Sequence, residues 1–168
     1  MYEFRNLCDS KATNEEIDAF VNLVGAGGAV DEYYVRLGIV RPGVRIVFAE
    51  LDGQAVGVDA LKRPSIQYRT GLQSAVRADF PLADDEYPYE LGYVSVSPNY
   101  SRQGLARTLV AEVLRLADGS GVFATTSNLA MKDGLLPSFE FVLAGNSRRN
   151  GSGDVLHLLV LKHRKGDE

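Results

Sequence analysis

The run Val94-Ser95-Val96-Ser97-Pro98-Asn99-Tyr100-Ser101-Arg102-Gln103-Gly104-Leu105-Ala106-Arg107 delivers a polar loop from a strand straight into a helix N-terminus. The chemistry favoured there is anion binding. The first turn of a helix has unpaired N–H groups and the positive end of the macrodipole, so a diphosphate collects several backbone hydrogen bonds at once. Gly104 and the small Ala106 permit close approach, and Arg102 and Arg107 add charge. A strand-glycine-helix junction also arises from tight packing alone, so the run does not by itself name a ligand. Glu90, four residues before Val94, places a carboxylate on the strand that feeds the loop. By alternation it shares a face with Gly92 and Val94.

Other elements must hold this segment in place. Pro98 ends the strand Glu90 to Val96, and Leu105, Leu109, Val110, Val113, Leu114 and Ala117 mark a helix that Asp118-Gly119 terminates. Upstream, a short apolar segment spans Tyr2 to Leu7, and Thr13 with Glu16 forms a capping box before Ile17, Phe20, Val21 and Val24. Val44 to Leu51 and Gln54 to Leu61 read as antiparallel strands around the hairpin signal Asp52-Gly53. Residues 62–87 form a polar excursion with one helix around Ser65 to Val76 and an acidic run Asp84-Asp85-Glu86. Downstream, Gly121 to Thr125 reads as a strand and Asn128 to Leu136 as a short helix limited by Pro137. Glu140 to Gly145 and Asp154 to Lys162 then read as a closing hairpin turning at Asn150-Gly151-Ser152-Gly153. Strands, then a strand-helix-strand unit, then a hairpin predict a mixed α/β (α+β) fold.

With 168 residues and 45% hydrophobic content, the chain is expected to form one domain over residues 1–168. A net charge of −4 and a pI near 5.2 argue against a nucleic-acid partner, because phosphate neutralisation needs concentrated basic surface. The single cysteine, Cys8, excludes an intramolecular disulfide, and no Cys/His spacing suggests a metal site. The charged start and the lack of about 18 consecutive apolar residues lead to the expectation of a soluble, cytoplasmic protein with no membrane partner.

Ser101-Arg102-Gln103-Gly104-Leu105-Ala106, preceded by Val96-Ser97-Pro98, resembles motif A of the GNAT N-acetyltransferase superfamily, Gln/Arg-x-x-Gly-x-Gly/Ala. The resemblance is clear over residues 87–132 and looser to about 161. It implies a GNAT-like, mostly antiparallel sheet with helices on both faces, and a splay between the strand ending at Val96 and the one beginning near Gly121 to receive acetyl-CoA. The implied cofactor residues are Val94, Ser95, Val96, Arg102, Gln103, Gly104, Leu105, Ala106, Arg107 and Asn128, the last beside the pantetheine arm. The implied reaction is acetyl transfer to a primary amine on a small molecule or a protein. Glu90, matching a strand carboxylate used by several members, is the implied general base, with a backbone N–H near Val94 or Val96 for the oxyanion.

Three positions depart from the family pattern. Ser101 replaces a long polar residue, Glu140-Phe141 stands for the usual Gly-Phe, and Leu136 stands where many members carry a proton-donating tyrosine. Tyr93, Tyr100 or water are the remaining donors, and a thiolate, with a thiol pKa of about 8.5, needs less help than an alkoxide. These departures leave open a degenerate acyl-CoA-binding sensor. A nucleotide ligand lacks both the P-loop ending and a ribose-binding acid at dinucleotide spacing. Asp84-Asp85-Glu86 with Tyr87 and Tyr89 reads either as a solvated loop or as a cover for a cationic amine. His157 reads as a structural strand histidine, and Arg148-Arg149 as the flank of a turn. A homodimer is compatible with the sequence, which does not set the oligomeric state.

Overall fold

The computed structural model of the chain describes residues 1–8, 11–28, 30–76, 80–149 and 153–164. In chain order the elements are β1 (Glu3–Cys8), α1 (Asn14–Ala26), α2 (Glu32–Ile39), β2 (Arg45–Leu51), β3 (Gln54–Lys62), α3 (Ile66–Val76), β4 (Tyr89–Val96), α4 (Leu105–Leu116), β5 (Val122–Thr126), β6 (Val142–Arg149) and β7 (Val155–Leu161). Seven strands hydrogen-bond in the order β1-β2-β3-β4-β5-β7-β6. The β1/β2, β2/β3, β5/β7 and β6/β7 pairs are antiparallel and β4/β5 is parallel, which is the mixed, mostly antiparallel sheet expected. The chain clusters into two compact units, Met1–Arg63 with Leu91–Asp118, and Pro64–Glu90 with Gly119–Glu168. No helix among the described residues is long and apolar enough to cross a membrane.

In the first unit, α1 starts at the anticipated capping box. The Thr13 hydroxyl accepts from Glu16 N at 3.2 Å, and Thr13 N donates to the Glu16 carboxylate at 2.8 Å, satisfying two end groups reciprocally. The helix α2 carries no family motif and was not anticipated. Its signals are short-range: Asp31 accepts from Tyr33 N at 2.8 Å, and Val35 and Ile39 bury one turn apart. Asp52 and Gly53 both have positive φ (51° and 77°), which makes the β2-β3 turn of the kind that Asp-Gly favours. Ile46, Phe48, Val58 and Ala60 share a face and pack with Phe20, Val24, Val35 and Ile39.

The alternate face of β3 carries Gly57 and Asp59 toward α4. A Cβ at Gly57 would lie 3.0 Å from the Leu109 side chain and 3.3 Å from Ser95 O, so the glycine sets how closely α4 approaches. Leu105, Leu109, Val110 and Val113 bury the helix face so seated. Asp59 is fully buried. Its Oδ1 accepts from Ala60 N at 2.7 Å, while Oδ2 has no hydrogen-bond partner. Burial pushes the Asp59 carboxyl well above the usual range, outweighing the Ala60 N–H and the Lys62 charge.

In the second unit, α3 is tied to the loop that follows it by Arg69, which is 3% exposed. The guanidinium donates to the carbonyls of Leu82 (3.3 Å), Tyr87 (2.7 Å) and Pro88 (3.0 Å), pairs with Asp84 at 3.3 Å, and lies over the Phe123 ring. Tyr87 is buried with Leu72, Leu82, Phe123, Leu158 and Val160, so it fills the core and cannot cover a bound cation. A Cβ at Gly121 would meet Glu86 O at 2.0 Å, which reserves that position for glycine.

Two segments differ from the sequence expectation. The helix expected from Asn128 to Leu136 forms, but over Met131–Leu135 it is a π-helix, with Leu136 N bonding to Met131 O at 2.9 Å. Pro137 then opens a 3₁₀ turn, Pro137–Phe139, consistent with its fitness for a helix start. The expected strand at Glu140 begins instead at Val142, because Glu140 takes a left-handed conformation (φ 70°). The turn expected at residues 150–153 falls, for 150–152, outside the described residues.

The burial of Asp59 predicts a pH-dependent penalty. An unfolded aspartate ionises near 3.8. The folded state resists ionisation, so it binds more protons than the unfolded state and stability falls as pH rises above that value. The fall is about 1.4 kcal/mol per pH unit until the folded carboxyl itself ionises. Asp59→Asn removes this penalty. In thermal unfolding from pH 4 to pH 7, the midpoint of the variant is expected to gain on the wild type with each step upward, and a gap independent of pH would contradict the assignment.

Candidate functional site

The predicted site residues fall into two groups. Val94, Ser95, Val96 and the loop from Arg102 to Arg107 belong to the first unit, Glu90 and Asn128 to the second.

In the first group, β4 is irregular where it approaches the loop. Tyr93 has φ 69°, a positive value that a β-strand residue does not ordinarily take, so the simple alternation expected to align Glu90, Gly92 and Val94 breaks there. Tyr93 packs edge-on to Phe20 and lies beneath the Lys62 ammonium, 4.4 Å from its ring centroid. Its hydroxyl lies so near α2 that a Cβ at Gly38 would come within 2.5 Å of it. Below the irregularity the strand is fixed at two points: Ser95 Oγ donates to Leu23 O at 2.8 Å, and Ser97 N donates to Val56 O at 2.8 Å.

The loop after β4 is built from turns. Pro98–Tyr100 is a 3₁₀ turn, and Ser101 Oγ donates to Pro98 O at 2.8 Å. A short hydroxyl closes this turn locally, which gives Ser101 a structural role in place of the long polar residue of the family pattern. Arg102 (φ 61°) and Gly104 (φ 80°) are both left-handed. Gly104 is the N-cap of α4 and provides no side-chain cap for the first helical turn, whose N–H groups have no acceptor within a helix. A Cβ at Gly104 would meet no atom within 4 Å, and Ser101, Arg102, Gln103 and Arg107 are exposed. Gln103 Oε1 accepts from the Tyr2 hydroxyl at 2.5 Å, which ties the loop to the start of the chain. A helix start without a side-chain cap, open space above a glycine and two exposed guanidinium groups are the features by which a helix N-terminus can accept an anion.

In the second group, Glu90 is buried, 3% exposed, and is not the solvated strand-end group that its position also allowed. Its Oε1 accepts from the Tyr68 hydroxyl at 3.1 Å. Tyr68 was missed from sequence: 22 residues separate it from Glu90, and the proximity depends on how α3 folds back. The parallel register of β4 with β5 pairs Tyr89 with Val122 and Glu90 with Phe123. Asn128 is exposed and caps the turn after β5, its Oδ1 accepting from Met131 N at 3.2 Å and its N–H donating to Thr126 Oγ1 at 3.0 Å. Leu136 is fully buried, an apolar core residue. Glu140 occupies, at φ 70°, the conformation for which the family pattern supplies glycine, and it pairs with Arg164.

Comparison with known proteins gives the same picture. The profile of the Acetyltransferase (GNAT) family matches residues 29–132. No curated protein sequence matches the chain significantly. Among solved structures, the chain is similar to FeeM, an N-acyl amino acid synthase from uncultured soil microbes (TM-score 0.75, 16% identity, 96% of this chain and 91% of that one). It is also similar to Escherichia coli ElaA (TM-score 0.72, 14% identity, 95% and 99%). A third is the ribosomal-protein-S18-alanine N-acetyltransferase of Escherichia coli (TM-score 0.69, 16% identity, 100% and 97%). At these identities the structural matches establish the fold, while the profile spans more than half of the sequence. The chain belongs to the GNAT acetyltransferase family.

Proposed function

We propose that the chain is an N-acetyltransferase that moves an acetyl group from acetyl-CoA to a primary amine of a small molecule or a protein. The observation that carries this reading is the start of α4, where left-handed Gly104 leaves the first-turn N–H groups uncapped beneath open space. Such a surface fits a pyrophosphate, with Arg102, Gln103, Leu105, Ala106 and Arg107 as the cradle and the backbone of Val94, Ser95 and Val96 alongside the rest of the cofactor. Acetyl-CoA, when bound, supplies an activated thioester. Glu90 takes the proton of the attacking amine, which at a lysine-like pKa of about 10.4 is otherwise held at neutral pH. An N–H of Val94 or Val96 serves the developing oxyanion. Asn128 lines the pantetheine arm through atoms that its capping bonds leave available.

A second reading, an acyl-CoA-binding sensor without turnover, is favoured by Leu136, whose full burial leaves no proton donor at that position. Turnover separates the two. With acetyl-CoA at about 100 times its dissociation constant, the unfolding free energy is expected to rise by about 2.7 kcal/mol, a midpoint shift of roughly 5–10 °C that ATP and NAD do not reproduce. The absence of such a shift at millimolar acetyl-CoA would remove both readings. If binding occurs and no member of a broad amine panel is acetylated, the sensor reading replaces the enzyme.

Two substitutions probe the parts separately. Gly104→Ala places a Cβ in the open space and forces an L-residue into φ 80°, at a cost of about 1–2 kcal/mol. It is expected to lower the unliganded midpoint modestly and to abolish most of the acetyl-CoA shift; a full shift would show that the pyrophosphate lies elsewhere. Glu90→Gln is expected to reduce kcat by about 10²–10⁴-fold while the KM for acetyl-CoA holds. Unchanged rates from pH 6 to 9 would exclude Glu90 as the base.

A further inference from the structure

We infer that Tyr68, carried on α3, is the positioning residue of Glu90: its hydroxyl holds the carboxylate in the orientation from which it accepts a proton. The inference deepens the acetyltransferase reading and rests on it, since it assigns a partner to the base proposed there.

The contact is a hydrogen bond from the Tyr68 hydroxyl to Glu90 Oε1, 3.1 Å long. The two ends differ in environment. Glu90 is 3% exposed, whereas Tyr68 is 40% exposed, so the donor reaches a buried carboxylate from the solvent side. A buried carboxylate needs donors in place of the lost water, and the Tyr68 hydroxyl is one of them.

The backbone fixes this contact, which sets it apart from a chance surface encounter. Tyr68 sits in the first turn of α3, its N–H donating to Ser65 Oγ at 3.2 Å. The next residue, Arg69, turns inward and holds the carbonyls of Tyr87 and Pro88, the residues that lead into Tyr89 and Glu90. Successive side chains of one helix turn therefore grip the start of β4 and its carboxylate, and the clamp sets the Tyr68 to Glu90 distance.

The test uses the full chain, acetyl-CoA and the best amine from the panel, with thiol release as the signal, on the wild type, Tyr68→Phe, Glu90→Gln and the double variant. Tyr68→Phe keeps the ring and removes only the hydroxyl, and an unfolding midpoint confirms that it folds. It is expected to lower kcat about tenfold, on the order of what one hydrogen bond to a charged group is worth. The KM for acetyl-CoA should stay within about twofold, a loss confined to kcat that damage to the fold or to cofactor binding would not produce. In the Glu90→Gln background, Tyr68→Phe is expected to cost nothing further. Unchanged kcat in Tyr68→Phe, with Glu90→Gln slow, would overturn this inference alone. Normal rates in Glu90→Gln, or no amine turned over by the wild type, would overturn the underlying reading and this inference with it.

Discussion

The close approach of α4 to β3 at Gly57 is the constraint on which the placement of the α4 N-terminus and its loop depends. Leu109 lies where a side chain at position 57 would stand, so the helix axis is set by a missing methyl group. Once Leu105, Leu109, Val110 and Val113 are seated, the position of the helix start follows, because the helix is rigid over its 12 residues. The loop then has to reach that start from a strand held by Ser95 and Ser97, and it does so through the turn at Pro98 and left-handed residues at Arg102 and Gly104. The hydrogen-bonding capacity of the helix end is thus aimed by apolar packing and left uncapped by the choice of glycine.

Much of this was legible in the chain itself, for reasons that differ between elements. The capping box at Thr13 and Glu16, the Asp52-Gly53 turn and the apolar stripe of α4 are short-range signals, and the structure realises each of them. The positive φ of Gly104 is of the same kind, since the residue type announces the conformation. The irregularity at Tyr93 was not legible, because tyrosine carries no preference for φ 69° and only its packing beside Phe20 and α2 accounts for it. Helix α2 was missed since eight residues offer little more than one apolar repeat. The Tyr68 to Glu90 contact lies beyond local pattern altogether.

The second unit shows how a polar excursion acquires order. Residues 62–87 read as a polar excursion with one helix, which α3 realises, and Arg69 on that helix gathers several backbone carbonyls into a single buried knot, with Asp84 supplying the countercharge. A guanidinium is suited to this, as its planar fork donates in several directions at once and stacks on an aromatic ring. Here the ring is Phe123. Loss of one partner would strand a buried charge, so the knot behaves as a unit and not as a sum of separate bonds.

The contact between Tyr93 and Gly38 also bears on how relatives of this chain can diverge. The phenol oxygen sits where the first carbon of any side chain at position 38 would have to go, and the ring is held edge-on by Phe20. Neither residue can therefore change freely alone: a larger residue at 38 demands a shorter one at 93, and the tyrosine demands the glycine. Among homologous sequences these positions, 55 residues apart, should drift as a linked pair, and a lineage that lost one partner would be expected to have remodelled the junction of α2 with β4.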